Sequence, residues 1–178
     1  MDKPIYLIGA RASGKSTLAK IVATRLRGYQ AIDTDLLLTE RLGTSIADFV
    51  SGYGWSRFRE EECLTLSHVA RMASTRPLVV ATGGGIVLDP RNCQLMASTG
   101  WVCYLKVSEA VLIERLKGEP KGELRPSLGK GSIEEEVKRV LVERSALYEA
   151  CANYILLAER PCEELCLEIT EKYQKSVQ

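Results

Sequence analysis

The run Ile5-Tyr6-Leu7-Ile8-Gly9-Ala10-Arg11-Ala12-Ser13-Gly14-Lys15-Ser16-Thr17 decides the architecture. Its first part is a short apolar run stopped by a glycine, the pattern of a buried strand. The next part matches G-x-x-x-x-G-K-[ST], and residues 15–26 then show helical periodicity with Gly28 behind them as a stop. Strand, glycine-rich turn and helix, in that order, form a phosphate-binding loop. Glycines let backbone N–H groups turn inward around phosphate oxygens, and the helix N-terminus adds partial positive charge. Lys15 is expected to reach the β- and γ-phosphates of a nucleotide, and the Ser16 hydroxyl to ligate Mg²⁺. Gly9, Ala10, Arg11, Ala12, Ser13, Gly14 and Thr17 complete the expected nucleotide cradle.

Outward from this loop, strands and helices alternate along the chain. Gln30–Asp33 reads as a second strand and 36–42 as a helix ending at Gly43. Ser45 and Asp48 open another short helix, and 55–73 form a long amphipathic one. Residues 78–82 and 101–107 read as strands, and Asp89-Pro90 as an N-cap with proline in the first helical position. A helix follows over 108–117. Ser132 and Glu135 form a capping box for a helix reaching about residue 150. Tyr154–Leu157 is the last strand, and 162–175 the last helix. Five short strands alternating with helices imply an α/β fold with three α/β/α layers around a parallel sheet. One domain over 1–178 is expected, with a lid at about 118–131.

Composition narrows the function. Lysines and arginines number 24 against 23 acids, so there is no basic excess of the kind a nucleic-acid binder carries. No apolar run is long enough to span a membrane and no signal-peptide pattern opens the chain. The cysteines form no CxxC pair, and the single histidine, His68, lies in no metal-ligand spacing with them. Cys162 and Cys166 share a helix face, a weak hint of pairing. Free thiols in a reducing cytoplasm are expected.

Four features suggest a second substrate. Asp33-Thr34-Asp35 sits at the C-terminal end of the second strand, the edge where such sheets bind ligands. One acid could hold Mg²⁺ and the other accept a hydroxyl proton; alternatively they only cap a helix. Arg59 shares a face with Trp55, Leu66 and Ala70, with Glu62 one turn on. Arg144 falls in the apolar stripe of Val137, Val140, Leu141 and Tyr148. A buried guanidinium needs a partner, either an internal carboxylate or a substrate carboxylate held bidentately. Gly83-Gly84-Gly85 ends the third strand and exposes backbone N–H groups, unless it is only a turn. Finally, the segment 118–131 contains Arg125-Pro126 and could be a surface loop or a mobile lid that shuts out water.

Taken together in order, these residues resemble the shikimate kinase family over essentially the whole chain. The match comprises the phosphate loop, D-T-D at Asp33 to Asp35, F-R-x-x-E at Phe58, Arg59 and Glu62, G-G-G at Gly83 to Gly85, L-R-P at Leu124 to Pro126, and E-R-x-x-L-Y at Glu143 to Tyr148. The A-T-G-G-G-I run and the longer lid resemble the type II enzymes. The resemblance implies a P-loop kinase fold with a mobile lid and strand order 2-3-1-4-5. It implies a monomer that transfers the ATP γ-phosphate to the 3-hydroxyl of shikimate, with Mg²⁺. By matching position, Asp35 activates that hydroxyl, and Asp33 helps Ser16 hold the metal. Arg59 and Arg144 clamp the substrate carboxylate, with Gly83, Gly84 and Gly85 at the ring hydroxyls. Arg125 arrives with the lid, and Arg115 and Pro161 flank adenine.

One departure is visible. Ala12 stands where the family commonly has glycine, and a positive φ there would cost about 1 kcal/mol. Arg11 lies inside the loop and is expected to face the acceptor. Two other readings stay open: a kinase for another small acceptor, gluconate or a nucleoside monophosphate, and a non-catalytic nucleotide-binding protein.

Overall fold

The computed structural model describes residues 3–118 and 131–177. Its sheet has five parallel strands in the order β2-β3-β1-β4-β5, with β1 at Ile5–Ile8, β2 at Gln30–Asp33, β3 at Leu78–Ala81, β4 at Trp101–Lys106 and β5 at Tyr154–Leu157. This is the order the family resemblance implied. Periodicity could not supply it, because strands of four to six residues are too short to encode their neighbours.

Central strands are buried on both faces, which is why they read as unbroken apolar runs. Their side chains alternate between two cores. Ile5, Leu7, Val79, Ala81, Cys103 and Leu105 join one core, and Tyr6, Ile8, Val80, Val102 and Tyr104 the other. Helices α1 (Lys15–Arg25) and α7 (Cys162–Ser176) cover the first face through Leu18, Val22, Leu165 and Ile169. The second face is covered by Leu66 and Val69 of α3 (Ile46–Ala73), Met96 of α4 (Pro90–Thr99) and Tyr148 of α6 (Ile133–Cys151). The remaining helices are α2 (Thr34–Leu42) and α5 (Glu109–Gly118).

The sequence boundaries hold within a residue or two, with three differences. First, α2 begins at Thr34 rather than 36, because the Asp33 carboxylate caps it by accepting from the N–H groups of Asp35 and Leu36. Second, the two helices expected over 45–73 form one long element broken at Gly54, whose φ of 78° and ψ of 166° leave the helical region. Third, a turn of 3-10 helix at Ile86–Leu88 follows the glycine run and was not anticipated. The capping box at Ser132 and Glu135 is present in full. No helix among the described residues is long and apolar enough to cross a membrane. All six cysteines are free thiols.

Candidate active site

The strand order puts β1 in the middle, with connections leaving it to both sides. That reversal opens a crevice at the C-terminal ends of the strands. Into it project the loop after β1, the Asp33–Asp35 stretch after β2 and the glycine run after β3.

The phosphate loop is built from backbone. Gly9 has φ 143° and Gly14 φ 94°, both conformations that L side chains rarely adopt. A Cβ on Gly9 would also lie 2.8 Å from the Leu105 carbonyl oxygen. Ala12 has φ 62°, the one positive φ on a non-glycine residue among those described. The strain expected at this position is therefore present. Its carbonyl accepts a hydrogen bond from Arg115 Nη1 at 3.2 Å, while Nη2 of the same guanidinium donates to Ala158 O at 3.3 Å. Arg115 thus ties the loop to the segment that follows β5. Pro161, its expected partner at the base, is the exposed residue preceding α7.

Lys15 is buried, and its Nζ donates to the carbonyls of Gly9 at 2.9 Å and Ala10 at 2.7 Å. Its charge is held inside the curve of the loop. Ser16 Oγ donates to Asp33 Oδ2 at 2.5 Å. Asp33 therefore caps α2 with one oxygen, as one of the two readings had it, and its other oxygen meets the phosphate-loop serine. Asp35 falls in the first turn of α2. Thr34, between them, is buried and accepts from the Gly83 N–H at 3.1 Å, pinning the glycine run to the start of α2.

The acceptor side is built from side chains instead. One cavity is lined by Ala10 and Arg11 of the loop, Arg59 of α3, Gly84, Gly85 and Arg144 of α6. Arg59 Nη1 donates to Glu62 Oε2 at 2.5 Å, and its guanidinium lies over the rings of Trp55 and Phe58 at 5.4 and 5.2 Å. Arg144 is buried; its Nη1 donates to Gly84 O at 3.3 Å and its Nε to Glu143 at 3.2 Å. Both arginines therefore have internal partners and still line the same cavity.

Glu62 is 3% exposed, and its second oxygen, Oε1, is buried with no hydrogen-bond partner among the described residues. Burial pushes its carboxyl above the ordinary value, and the neighbouring Arg59 and Arg144 offset only part of that. Two residues of this side went unassigned in the sequence. Tyr148 donates to the Gly84 carbonyl beside Arg144, and Thr34 holds Gly83. Tyr148 showed in the apolar stripe and at the end of the E-R-x-x-L-Y match without a role, and Thr34 only as the residue between two acids.

The glycine run joins the two sides. A Cβ on Gly84 would lie 3.3 Å from Arg11 N and 3.5 Å from Gly9 O, so this backbone rests directly on the phosphate loop. A Cβ on Gly85 would lie 2.4 Å from both terminal nitrogens of Arg59. Leu124, Arg125 and Pro126 of the expected lid lie outside the described residues.

Known proteins place the chain in a family. A family model described as shikimate kinase matches residues 11–174. A shikimate kinase 2 of Yersinia enterocolitica is 41% identical over 169 residues, covering 95% of this chain and 94% of that protein. A solved shikimate kinase from Acinetobacter baumannii, in complex with shikimate, superposes with a TM-score of 0.89 at 25% identity, covering 99% of this chain and 95% of that one. A gluconokinase from Sinorhizobium meliloti shares the fold alone, with a TM-score of 0.59 at 17% identity over 97% of this chain and 92% of that one. On the family match and the full-length relatedness, the chain belongs to the shikimate kinase family.

Proposed function

We propose that this chain transfers the γ-phosphoryl group of ATP to the 3-hydroxyl of shikimate. The observation that carries the proposal is the convergence of Arg59 and Arg144, from two helices, on a cavity that shares Ala10 and Arg11 with the phosphate loop. Two guanidiniums side by side suit a carboxylated acceptor, and the shared wall sets that acceptor beside the phosphates.

In this reading Lys15 and the loop N–H groups hold the β- and γ-phosphates. Phosphoryl transfer asks little covalent chemistry of the protein, so positioning and charge stabilisation carry the rate. Arg59 and Arg144 bind the shikimate carboxylate, and the backbone of Gly83, Gly84 and Gly85 meets the ring hydroxyls. Asp35 takes the hydroxyl proton as the oxygen attacks. Arg125 closes with a lid at 118–131, and Arg115 and Pro161 flank the adenine. Ser16 and Asp33 are the residues that would hold Mg²⁺: a hydroxyl and a carboxylate oxygen 2.5 Å apart beside the loop are the hard oxygen donors this ion takes. When bound, the ion neutralises charge on the phosphate oxygens. We further read the chain as one kinase domain, monomeric and cytoplasmic, acting on small molecules only.

Steady-state kinetics of Arg144→Ala test the clamp. The shikimate KM should rise by roughly 30-fold or more, the scale of a lost charge-assisted pair, with the ATP KM little changed. Equal loss for ATP and shikimate, or a variant that unfolds while Arg144→Lys behaves as wild type, would make Arg144 a structural residue instead.

A further inference from the structure

We propose that Glu159 is a positioning residue for the nucleotide: its carboxylate ties the segment after β5 to the N-terminus of α5 and so fixes the slot for the base. This rests on the reading above that Arg115 and Pro161 flank the adenine. Those two residues belong to separate pieces of chain. Arg115 rides on α5, and Pro161 ends the stretch between β5 and α7. A planar base fits between them only if the two pieces keep a fixed separation.

The contacts of that stretch show what keeps it. Ala158 is buried, and its N–H donates to Lys106 O at 2.9 Å, extending the β4–β5 ladder by one bond. Its carbonyl accepts from Arg115 Nη2 at 3.3 Å. Glu159 is exposed, yet its Oε1 accepts from the Ser108 N–H at 2.6 Å, across 51 positions of chain. Arg160 turns the other way and pairs with Glu164 and Glu168 of α7. Pro161 has no N–H to give, and its carbonyl accepts from Leu165 N at 3.2 Å within α7. Among the described residues, two hydrogen bonds therefore join this stretch to α5: Arg115 to Ala158, and Ser108 to Glu159.

The two bonds are not equivalent. They lie about two turns apart on the helix, roughly 10 Å, so together they fix an orientation that neither fixes alone. Arg115 also holds Ala12 O at 3.2 Å and faces the base, so one guanidinium divides its donors among several tasks. The Glu159 carboxylate is directed to Ser108. The Ser108 N–H is one of the donors a helix start leaves without an intrahelical partner, and a negative charge is favoured there. That bond holds the Glu159 carboxyl below its ordinary value. Ser108 O in turn accepts from Leu112 N at 3.1 Å, and Leu112 is buried in the core, so the tie is anchored. Without it, the Pro161 side of the slot has to be ordered each time a nucleotide binds, and that cost falls on ATP affinity. The phosphates, held by the loop, do not bear it.

The test compares Glu159→Ala and Glu159→Gln with the wild type, using the full-length protein and calorimetric titration with ATP and with inorganic tripolyphosphate. Glutamine keeps a side-chain oxygen that can accept from Ser108 N–H, and alanine keeps none. Glu159→Ala should raise the ATP Kd roughly 3–10-fold and leave tripolyphosphate binding unchanged, and Glu159→Gln should recover most of the loss. In turnover the ATP KM should rise with the Kd, while the shikimate KM and the saturated kcat hold. Equal weakening of ATP and tripolyphosphate, tighter ATP binding in both variants, or a glutamine variant as weak as the alanine one would overturn the proposal. Arg115→Ala separates it from the reading beneath it. Weaker ATP binding in Arg115→Ala with Glu159→Ala unaffected would overturn the role of Glu159 alone. Unchanged ATP binding in both would overturn the base site as well. Because the titrations need no acceptor, neither result depends on the identity of the second substrate.

Discussion

The phosphate loop and the acceptor pocket share a wall but are made differently. The loop is one contiguous stretch whose function resides in backbone N–H groups and in φ angles at Gly9, Ala12 and Gly14. The acceptor pocket is assembled from residues of α3, the glycine run and α6, and its function resides in side chains held by other side chains. Damage should therefore differ in kind. Changes to the loop cost folding or nucleotide binding, whereas changes to the pocket cost acceptor recognition and leave the fold standing.

The largest expected effect belongs to Asp35, in the first turn of α2. Asp35→Asn should lower kcat by about 10²–10⁴-fold, the range of a lost general base, with ATP binding intact. Unchanged turnover would remove Asp35 from the proton step.

Two glycines give the sharpest contrast. Gly85→Ala places a methyl on the Arg59 guanidinium, the movable end of a long side chain. Its shikimate KM should rise roughly 10-fold or more while the melting temperature barely moves. The same methyl on Gly9 would meet the Leu105 carbonyl in a backbone conformation alanine rarely adopts, so that variant should fail by unfolding. If both variants melt alike, the distinction between a backbone-built and a side-chain-built site is wrong.

Glu62 separates stability from function. Its carboxyl is raised by burial above the ordinary 4.5, so protonation favours the folded state. Its contribution to stability is fully present below the unfolded value and is lost as pH rises through the folded one. Arg59, by contrast, is best held when Glu62 is ionised. Shikimate KM should therefore climb as pH falls through a value above 4.5. Glu62→Gln should flatten that limb and raise the KM at neutral pH. Its melting temperature there should be unchanged or a few degrees (~2–5 °C) higher, since burial disfavours the ionised carboxyl that the amide replaces. A large loss of stability in this variant would contradict the account.

The smallest effect belongs to Ala12. Ala12→Gly should relieve left-handed strain and stabilise the protein by no more than about 1 kcal/mol, because glycine's extra unfolded-state freedom offsets part of the gain. Thermal melts and ATP titrations read it directly.

The same contrast explains what the sequence could reveal. The loop, the Asp33 cap, the Ser132 capping box and the paired runs that became the sheet are local, so spacing and periodicity exposed them. Even the strain at Ala12 was legible, because it depends on one residue in one motif. The partner of Arg144 was not. Glu62 could be guessed from helical spacing, but the Gly84 carbonyl, the hydroxyl of Tyr148 and the Thr34–Gly83 bond join strands and helices whose adjacency no local pattern records. Strand order likewise came only with the resemblance. Ranges slipped where a side chain overrode propensity, as at the start of α2, or where one glycine broke a helix, as at Gly54.

The most direct test of the central claim is an ADP-release assay with ATP and Mg²⁺, run in parallel on shikimate, quinate, gluconate and AMP. Turnover with shikimate alone is the predicted result. ATP binding without turnover on shikimate, or preferential turnover on an acceptor that lacks a carboxylate, would contradict it.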